Sequence, residues 1–325
     1  MFAKRHQHVL NERNKPGTES PLEARSRNAE RRVLFIDDSV PHHWLGSGFP
    51  RANAFISALL KQGYFITLFP TAGISEPWDV VYSDFPREVE VMMGMGTGLL
   101  EAFLRNRKGY YCSLVVSRPH NMERLAPLLQ SHPDWFENVQ VIYDAEALFA
   151  SRNIGLRKLA GKSMSEREIQ NEFAAEVCLT KSAHRVISVS ENDRKVFQAH
   201  GVERVEVLGL CAPPAPGKAS FESRTGFLFV GAVHEELSPN GDSLIWFLSE
   251  VFPRIRQKLG DIPVTIAGVN KSERIHSLAS PPVRIIGYVS SLDELYEQSR
   301  VFIAPTRYAA GVPHKVNEAA AHESG

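Results

Sequence analysis

Twice along this chain, short apolar runs alternate with amphipathic helical stretches, and that pattern leaves few folds open. The first run, Val33–Ile36, stops at Asp37-Asp38, and a loop containing Gly46 and Gly48 follows. Across Arg51–Gln62 the apolar residues Ala52, Phe55, Ile56, Leu59 and Leu60 fall at i, i+3, i+4, i+7 and i+8, one face of a helix. Gly63 stands where a helix ends in a left-handed residue, and Tyr64–Phe69 resumes as a strand. A strand, a helix and a strand in that order build a parallel sheet, because parallel neighbours need a crossover between them. The alternation continues through strands at Val89–Met93, Ser113–Val116 and Val139–Tyr143, with a helix at Leu99–Arg105. A long helical stretch, Ser165–Ser182, opens with Ser165 and Glu168 in capping-box spacing and leads to a strand at Arg185–Val189.

The texture then changes. CAPPAPGKASFESRT, from Cys211 to Thr225, holds three prolines and no periodicity, which reads as a linker. A second alternating run begins with Phe227–Val230. It continues through a helix over Ser243–Leu259 and strands at Val264–Ala267, Arg284–Ile286 and Val301–Ala304. Asn240 or Asp242 is the expected cap of that helix, and Pro253 is expected to kink or divide it. The expected organisation is therefore α/β, with a polar tail at 1–30, a Rossmann-like domain at 31–211, a linker at 212–225 and a second Rossmann-like domain at 226–325.

Composition narrows the function classes. Lys+Arg and Asp+Glu balance at 37 each, which argues against a dedicated nucleic-acid binder. Cys112, Cys178 and Cys211 are widely spaced and form no C-x-x-C pair, so they read as reduced, partly buried thiols of a cytosolic protein. No apolar run approaches the ~18 residues of a membrane span. Residues 1–32 carry eight Lys/Arg and four Asp/Glu, a net of +4, with few large apolar side chains. Such a tail is expected to be disordered and to touch an anionic membrane surface only weakly.

Three local patterns point elsewhere and fail on their surroundings. Asp37, Asp38 and Asp84 imitate the acidic corners of a phosphoacceptor receiver domain, but the next strand ends offer Ser117-Arg118 and Tyr143-Asp144 without the lysine that chemistry needs. GMGTG at 94–98 imitates a dinucleotide fingerprint, yet Leu99 replaces its third glycine and no acidic residue follows about 20 positions on. His42-His43 lacks a partner at helical metal-site spacing and reads as two exposed loop histidines.

The segment with the most specific chemistry is Val301–Ala321, VFIAPTRYAAGVPHKVNEAAA. An apolar strand runs into Pro305, a loop of small residues follows, and Pro313 opens a helix carrying Lys315 and Glu318. Small residues let a ligand approach the free N–H groups of a first helical turn, which favours phosphate. Glu318, about a turn and a half on, is placed to reach sugar hydroxyls.

Together with GSGFPRANAFISALLKQGY at 46–64, FLFVGAVHEELSPNGDSLIWFL at 227–248 and VTIAG at 264–268, this segment resembles the retaining nucleotide-sugar glycosyltransferases of the B-type fold, family-4-like. The resemblance implies two Rossmann-like domains facing a cleft. It implies hexosyl transfer from a nucleoside diphosphate sugar to a glycan, lipid-linked or other acceptor, with retention and without a metal or other cofactor. Its implied setting is polysaccharide assembly in the cytoplasm or at the inner membrane face.

Carried over by position, Glu318 is the ribose-binding second Glu of the family's Glu-x7-Glu signature. The first Glu falls on Ala310, so backbone N–H groups of Ala310, Gly311 and Val312 would face the donor instead. The basic pair that grips the pyrophosphate is also altered: after Val230-Gly231 the loop offers only His234 and Asn240, leaving Lys315 or Arg307 to supply the charge. Gly48 matches the glycine near the donor phosphates. Asp144 and His120 are candidates for sugar contact. Two alternatives stay open, a non-catalytic nucleotide-sugar binder and a nucleotide-sugar epimerase on the same fold. Relatives continue beyond the Glu318 helix, so the second domain is expected to be incomplete, with an unpaired edge and weak activity in isolation.

Overall fold

The computed structural model describes Leu22 and residues 31–322, except Ser47 and Pro213; the tail at 1–30 otherwise lies outside the described residues. Two compact units emerge: one from residues up to Ala147 together with Ala174–Gly209, the other from Leu148–Phe173 together with the residues from Leu210 onward. Residues 148–173, inside the span expected to be a single N-terminal domain, thus cluster with the C-terminal half.

The first unit holds a seven-stranded parallel sheet. Its strands are β1 (Arg32–Asp37), β2 (Phe65–Pro70), β3 (Glu90–Val91), β4 (Ser113–Ser117), β5 (Gln140–Glu146), β6 (Arg185–Ser188) and β7 (Val205–Val207), in the spatial order β3-β2-β1-β4-β5-β6-β7. Helices α1 (Phe49–Lys61), α2 (Trp78–Val81), α3 (Leu100–Asn106) and α4 (Pro119–Ser131) carry the crossovers among the first five strands. In β1 and β2 every residue after the first is buried, as expected of strands covered on both faces. Val33, Phe35, Ile56, Ile66, Leu68 and Val115 knit one face of this sheet to α1. Gly63 ends α1 at φ +84°, as its position predicts.

The second unit has a four-stranded parallel sheet, β8 (Phe227–Val230), β9 (Val264–Ala267), β10 (Val283–Gly287) and β11 (Val301–Phe302), in the order β10-β9-β8-β11. Its helices are α8 (Pro239–Trp246), α9 (Phe252–Leu259), α10 (Glu273–Leu278), α11 (Asp293–Gln298) and α12 (His314–Ala321), and α5 (Phe149–Leu159) joins them from earlier in the chain. Helix α6 (Glu166–Cys178) straddles the division, and α7 (Glu191–Ala199) belongs to the first unit. At α6 the capping box is formed: the Ser165 N–H donates to Glu168 Oε2 at 2.8 Å and the Glu168 N–H to Ser165 Oγ at 3.3 Å.

The start and cap of α8 need correction. Helix α8 starts earlier than Ser243 and is capped by Ser238, whose Oγ accepts from the Gly241 N–H, rather than by Asn240 or Asp242. The division expected at Pro253 is present: a π turn over Phe247–Val251 separates α8 from α9, and Pro253 lies in the first turn of α9. Residues of the expected linker bond to their own unit: the Ala215 and Gly217 N–H groups donate to the carbonyls of Ala321 and His322, and Glu297 accepts from the N–H groups of Lys218 and Ala219. Helices α4, α5 and α7 and strand β7 stand beyond the expected elements; α4 contains Pro127 and α5 contains Gly155.

Candidate functional site

Both sheets reverse their strand order once, between β1 and β4 in the first unit and between β8 and β11 in the second. At such a point neighbouring crossovers leave on opposite faces, and a crevice opens beyond the carboxyl ends of the strands. The candidate residues of each unit collect there.

In the first unit the crevice is lined with charge. Asp37 ends β1, fully buried, and its Oδ1 accepts from Arg118 Nε at 2.8 Å. Arg118 follows β4 in a left-handed conformation, φ +76°, and its Nη1 lies 3.1 Å from Glu146 Oε2 at the end of β5. Glu146 is itself left-handed at φ +58°, beside a register shift between Asp144 and Glu146. Two non-glycine residues in that region, joined by an ion pair, mark a strained site held by its surroundings. Burial pushes the Glu146 carboxyl up to about 7, with Arg118 opposing. Burial likewise raises Asp37. For Arg118, burial disfavours the charge, but Asp37 and Glu146 outweigh it and raise its pKa.

Gly48 caps α1 at φ +82°, and a Cβ there would fall 1.3 Å from Glu146 Oε1. Only glycine lets the carboxylate lie against the start of the helix. His120, the second residue of α4, places Nε2 2.5 Å from Asp38 Oδ1, and Asn121 Nδ2 donates to the same oxygen at 2.9 Å. Asp144 is fully buried and gripped by Arg51, whose Nη1 and Nη2 donate to its two oxygens at 2.7 and 3.0 Å. Its carboxylate is engaged in the fold.

The receiver-like aspartates are not assembled for phosphotransfer. Asp37 faces Arg118, Asp38 faces His120, and Asp84 accepts from the His43 N–H and lies against His42. His42 is not exposed as expected. It is 2% accessible, with Nδ1 2.5 Å from Asp84 Oδ1 and Nε2 2.9 Å from Glu76 Oε2. Of the GMGTG glycines, Gly96 serves a close backbone approach, lying against the Gly73 Cα.

In the second unit, Gly231 leaves β8 and Gly311, at φ +66°, sits in the loop after β11. Pro313 is the N-cap of α12 rather than its first residue, and no side chain caps that end. Among the described residues the backbone N–H groups of Ala310, Gly311 and Val312 make no hydrogen bond. Lys315 Nζ donates to Asn240 Oδ1 at 2.7 Å and lies 4.2 Å from the Phe229 ring centroid. It makes no ion pair among the described residues, and burial pushes its amine down to about 8. Asn240 Nδ2 holds the Ala232 carbonyl at 2.9 Å, with Gly231 packed so closely that a Cβ would meet the amide at 2.7 Å. Arg307 is exposed and its guanidinium is bound to Asp242, with Nε 2.9 Å from Oδ2. Of the two cations expected to meet phosphate, Lys315 alone is without a carboxylate. Glu318 follows on α12, half-buried. Tyr308 anchors the loop: its hydroxyl donates to the Leu237 carbonyl, and its Cβ packs where a side chain at Gly155 would be.

Sequence reasoning missed Arg118, Glu146 and the Asn240–Lys315 contact. Glu146 ends its strand and Arg118 follows one, positions that could have singled them out. Their left-handed backbones left no trace in residue type.

Residues 224–324 match the family model described as Glycosyl transferases group 1. No curated protein matches the chain. Among solved structures, TarM is similar with a TM-score of 0.66 at 8% identity, covering 90% of this chain and 83% of that one. A sucrose-phosphate synthase (tll1590) from Thermosynechococcus elongatus gives 0.57 at 13% identity, covering 85% and 76%. Anabaena Alr3699/HepE in complex with UDP gives 0.53 at 14% identity, covering 85% and 74%. These likenesses establish the fold: the chain is built as two Rossmann-like α/β units, as in the B-type glycosyltransferases, and its second unit carries the segment matched to glycosyl transferases group 1.

Proposed function

We propose that the chain transfers a hexosyl group from a nucleoside diphosphate sugar to a glycan or lipid-linked acceptor, with retention and without a metal. The observation that carries this reading is the coincidence of the family match with the loop from Pro305 to α12, where open backbone N–H groups, a counterion-free lysine and Glu318 share one switch-point crevice. As the bond from the anomeric carbon to the diphosphate oxygen breaks, charge grows on the leaving group. The backbone N–H groups of Ala310, Gly311 and Val312 and the Lys315 ammonium stabilise that charge from fixed positions. Glu318 accepts hydrogen bonds from the ribose hydroxyls. The acceptor oxygen bonds to the anomeric carbon on the face the diphosphate leaves, and its proton passes to the departing diphosphate oxygen.

Ala310, at the position of the first signature Glu, favours one second reading, a nucleotide-sugar binder without turnover. Calorimetry with UDP, GDP and their sugars tests binding, and release of UDP or GDP from the same donors tests turnover. Binding without release would leave the second reading. No binding of either nucleotide would overturn both.

A further inference from the structure

Two of the four tryptophans, Trp44 and Trp78, are 52% and 54% exposed, although tryptophan is among the most buried residue types on average. Both lie in the first unit, beyond the carboxyl ends of adjacent strands: Trp44 in the loop after β1 and Trp78 at the first position of α2, after β2. Each ring has one face closed. Trp44 stacks on His42 with centroids 4.1 Å apart and 11° between planes, and Trp78 stacks on Tyr82 at 5.8 Å and 13°. The exposed half of each indole is therefore a single flat face with a rigid backing. The two segments are tied together: His42, behind Trp44, reaches Glu76, two residues before Trp78, at 2.9 Å, and Asp84 at 2.5 Å. Ordering two segments so that two large apolar rings face water costs free energy and contributes nothing to the core, which points to a ligand.

We infer that Trp44 and Trp78 form a platform for an uncharged oligosaccharide. Flat apolar faces suit the C–H face of a pyranose ring, and indole is the largest such surface a protein has. Charge decides between ligand classes. Residues 71–84 carry Glu76, Asp79 and Asp84 with no lysine or arginine, and residues 39–48 add no Lys or Arg. A surface of that sign repels anionic lipid headgroups and phosphate-bearing polymers, which basic residues attract. The exposed Asp79 carboxylate instead accepts hydrogen bonds from sugar hydroxyls, while Glu76 and Asp84 hold His42 in place. A quaternary or protonated amine would need rings converging on it from several sides, whereas each ring here offers one open face. The platform belongs to the acceptor side of the proposed transfer. That role rests on the proposed function; the binding itself does not.

The test uses the full chain on a microarray of neutral, acidic and amine-bearing oligosaccharides, with Trp44→Ala, Trp78→Ala and Trp135→Ala compared with the unaltered protein. Neutral oligosaccharides should bind, and each of the first two changes should weaken binding about tenfold while Trp135→Ala does not. If an alanine variant fails to fold by thermal melt, indole N–H spectra of the unaltered protein decide, with Trp44 and Trp78 shifting on titration of the best neutral array oligosaccharide and Trp135 and Trp246 staying still. No neutral binder, a preference for acidic or amine-bearing glycans, or binding that ignores Trp44 and Trp78 would overturn the platform. So would capture of phosphatidylcholine–phosphatidylglycerol vesicles in place of glycans. Calorimetry with UDP and GDP on the same samples separates the two ideas. Nucleotide binding without glycan binding sinks the platform alone, and glycan binding without nucleotide binding sinks the donor reading alone.

Discussion

Lys315 gives the sharpest handle on the donor reading, because binding and stability should respond to it with opposite signs. Its amine sits 2.7 Å from Asn240 Oδ1 and 4.2 Å from the Phe229 ring centroid, and burial holds its pKa near 8 against an ordinary 10.5. A diphosphate beside it restores the charged form, so binding is linked to proton uptake above pH 8. At pH 7 roughly 90% of the amine is already charged. At pH 9.5 about 3% is, and UDP affinity should fall about 30-fold between the two. The ligand does not titrate in that window, since its second phosphate pKa lies near ~6. Near pH 8 calorimetry in buffers of different ionisation enthalpy should register uptake of about half a proton. Lys315→Met should flatten the pH dependence and weaken UDP binding at pH 7. In the free protein the folded pKa is the lower one, so from about pH 8 to 10.5 the unfolded chain holds more protons and stability rises with pH. Below pH 8 the buried ammonium costs the fold up to about 3 kcal/mol, and Lys315→Met should recover part of it in a denaturant melt. A variant with unchanged pH dependence of UDP binding would refute the assignment.

Other consequences are equally direct. Gly48→Ala and Gly63→Ala impose the same left-handed strain, φ +82° and +84°, but the new Cβ meets Glu146 only at Gly48. In denaturant melts Gly63→Ala should cost about 1 kcal/mol and Gly48→Ala clearly more, and equal losses would mean Glu146 is not held against α1. Asp144→Ala strands Arg51 in the core and should destabilise by about 3–5 kcal/mol, whereas a mild loss of stability with a large loss of sugar transfer would make Asp144 a substrate contact after all. Glu146, raised to about 7 from 4.5, holds a proton that the unfolded chain has lost between those values, so stability falls as pH rises through that window. Glu146→Gln should remove that slope from a pH series of melts. Glu318→Ala should weaken UDP binding by about 1–3 kcal/mol in calorimetry, and an unchanged affinity would remove Glu318 from the ribose.

What could be read in advance follows from how far each signal reaches along the chain. The α1 face from Ala52 to Leu60, the Gly63 stop and the Ser165–Glu168 box are contacts within one or two helical turns, and each stands as read. The sheets were legible because their strands are buried on both faces and so appear as unbroken apolar runs. Helix α5 was not legible: Gly155 weakens its pattern, and the reason for that glycine, the Tyr308 side chain packed against it, lies 153 positions further along. His42 was misjudged for the same reason, since its partners Glu76 and Asp84 are 34 and 42 residues away. Helix α8 shows the reverse case. Three capping residues lay within a few positions, and Ser238 serves because its Oγ meets the Gly241 N–H, a choice made by backbone geometry rather than by residue type.

The distribution of buried charge argues where the chain expects an anion. In the first unit the buried arginines come with their own carboxylates: Arg51 with Asp144, Arg107 with Glu90, and Arg118 with Asp37 and Glu146. Each such pair is closed, since breaking it would leave a charge stranded in a poor solvent. In the second unit Arg307 is likewise bound to Asp242, and both stand nearer to water. Two cations of the second unit depart from the rule among the described residues: Arg224 is buried without an ion pair but feels the Glu222 and Glu297 carboxylates, whereas Lys315 has no such neighbour. It is largely withdrawn from solvent, faces an amide oxygen and an aromatic ring, and has its pKa lowered by burial without a carboxylate to offset it. Apart from function, a methionine would fill that space at less cost, as buried ions often can be replaced without loss. The cost of the ammonium is recovered if its counterion arrives with the ligand, at the crevice where the N–H groups of Ala310, Gly311 and Val312 are also open. That is the arrangement a departing diphosphate requires, and it is why the donor reading rests on Lys315 before any other side chain.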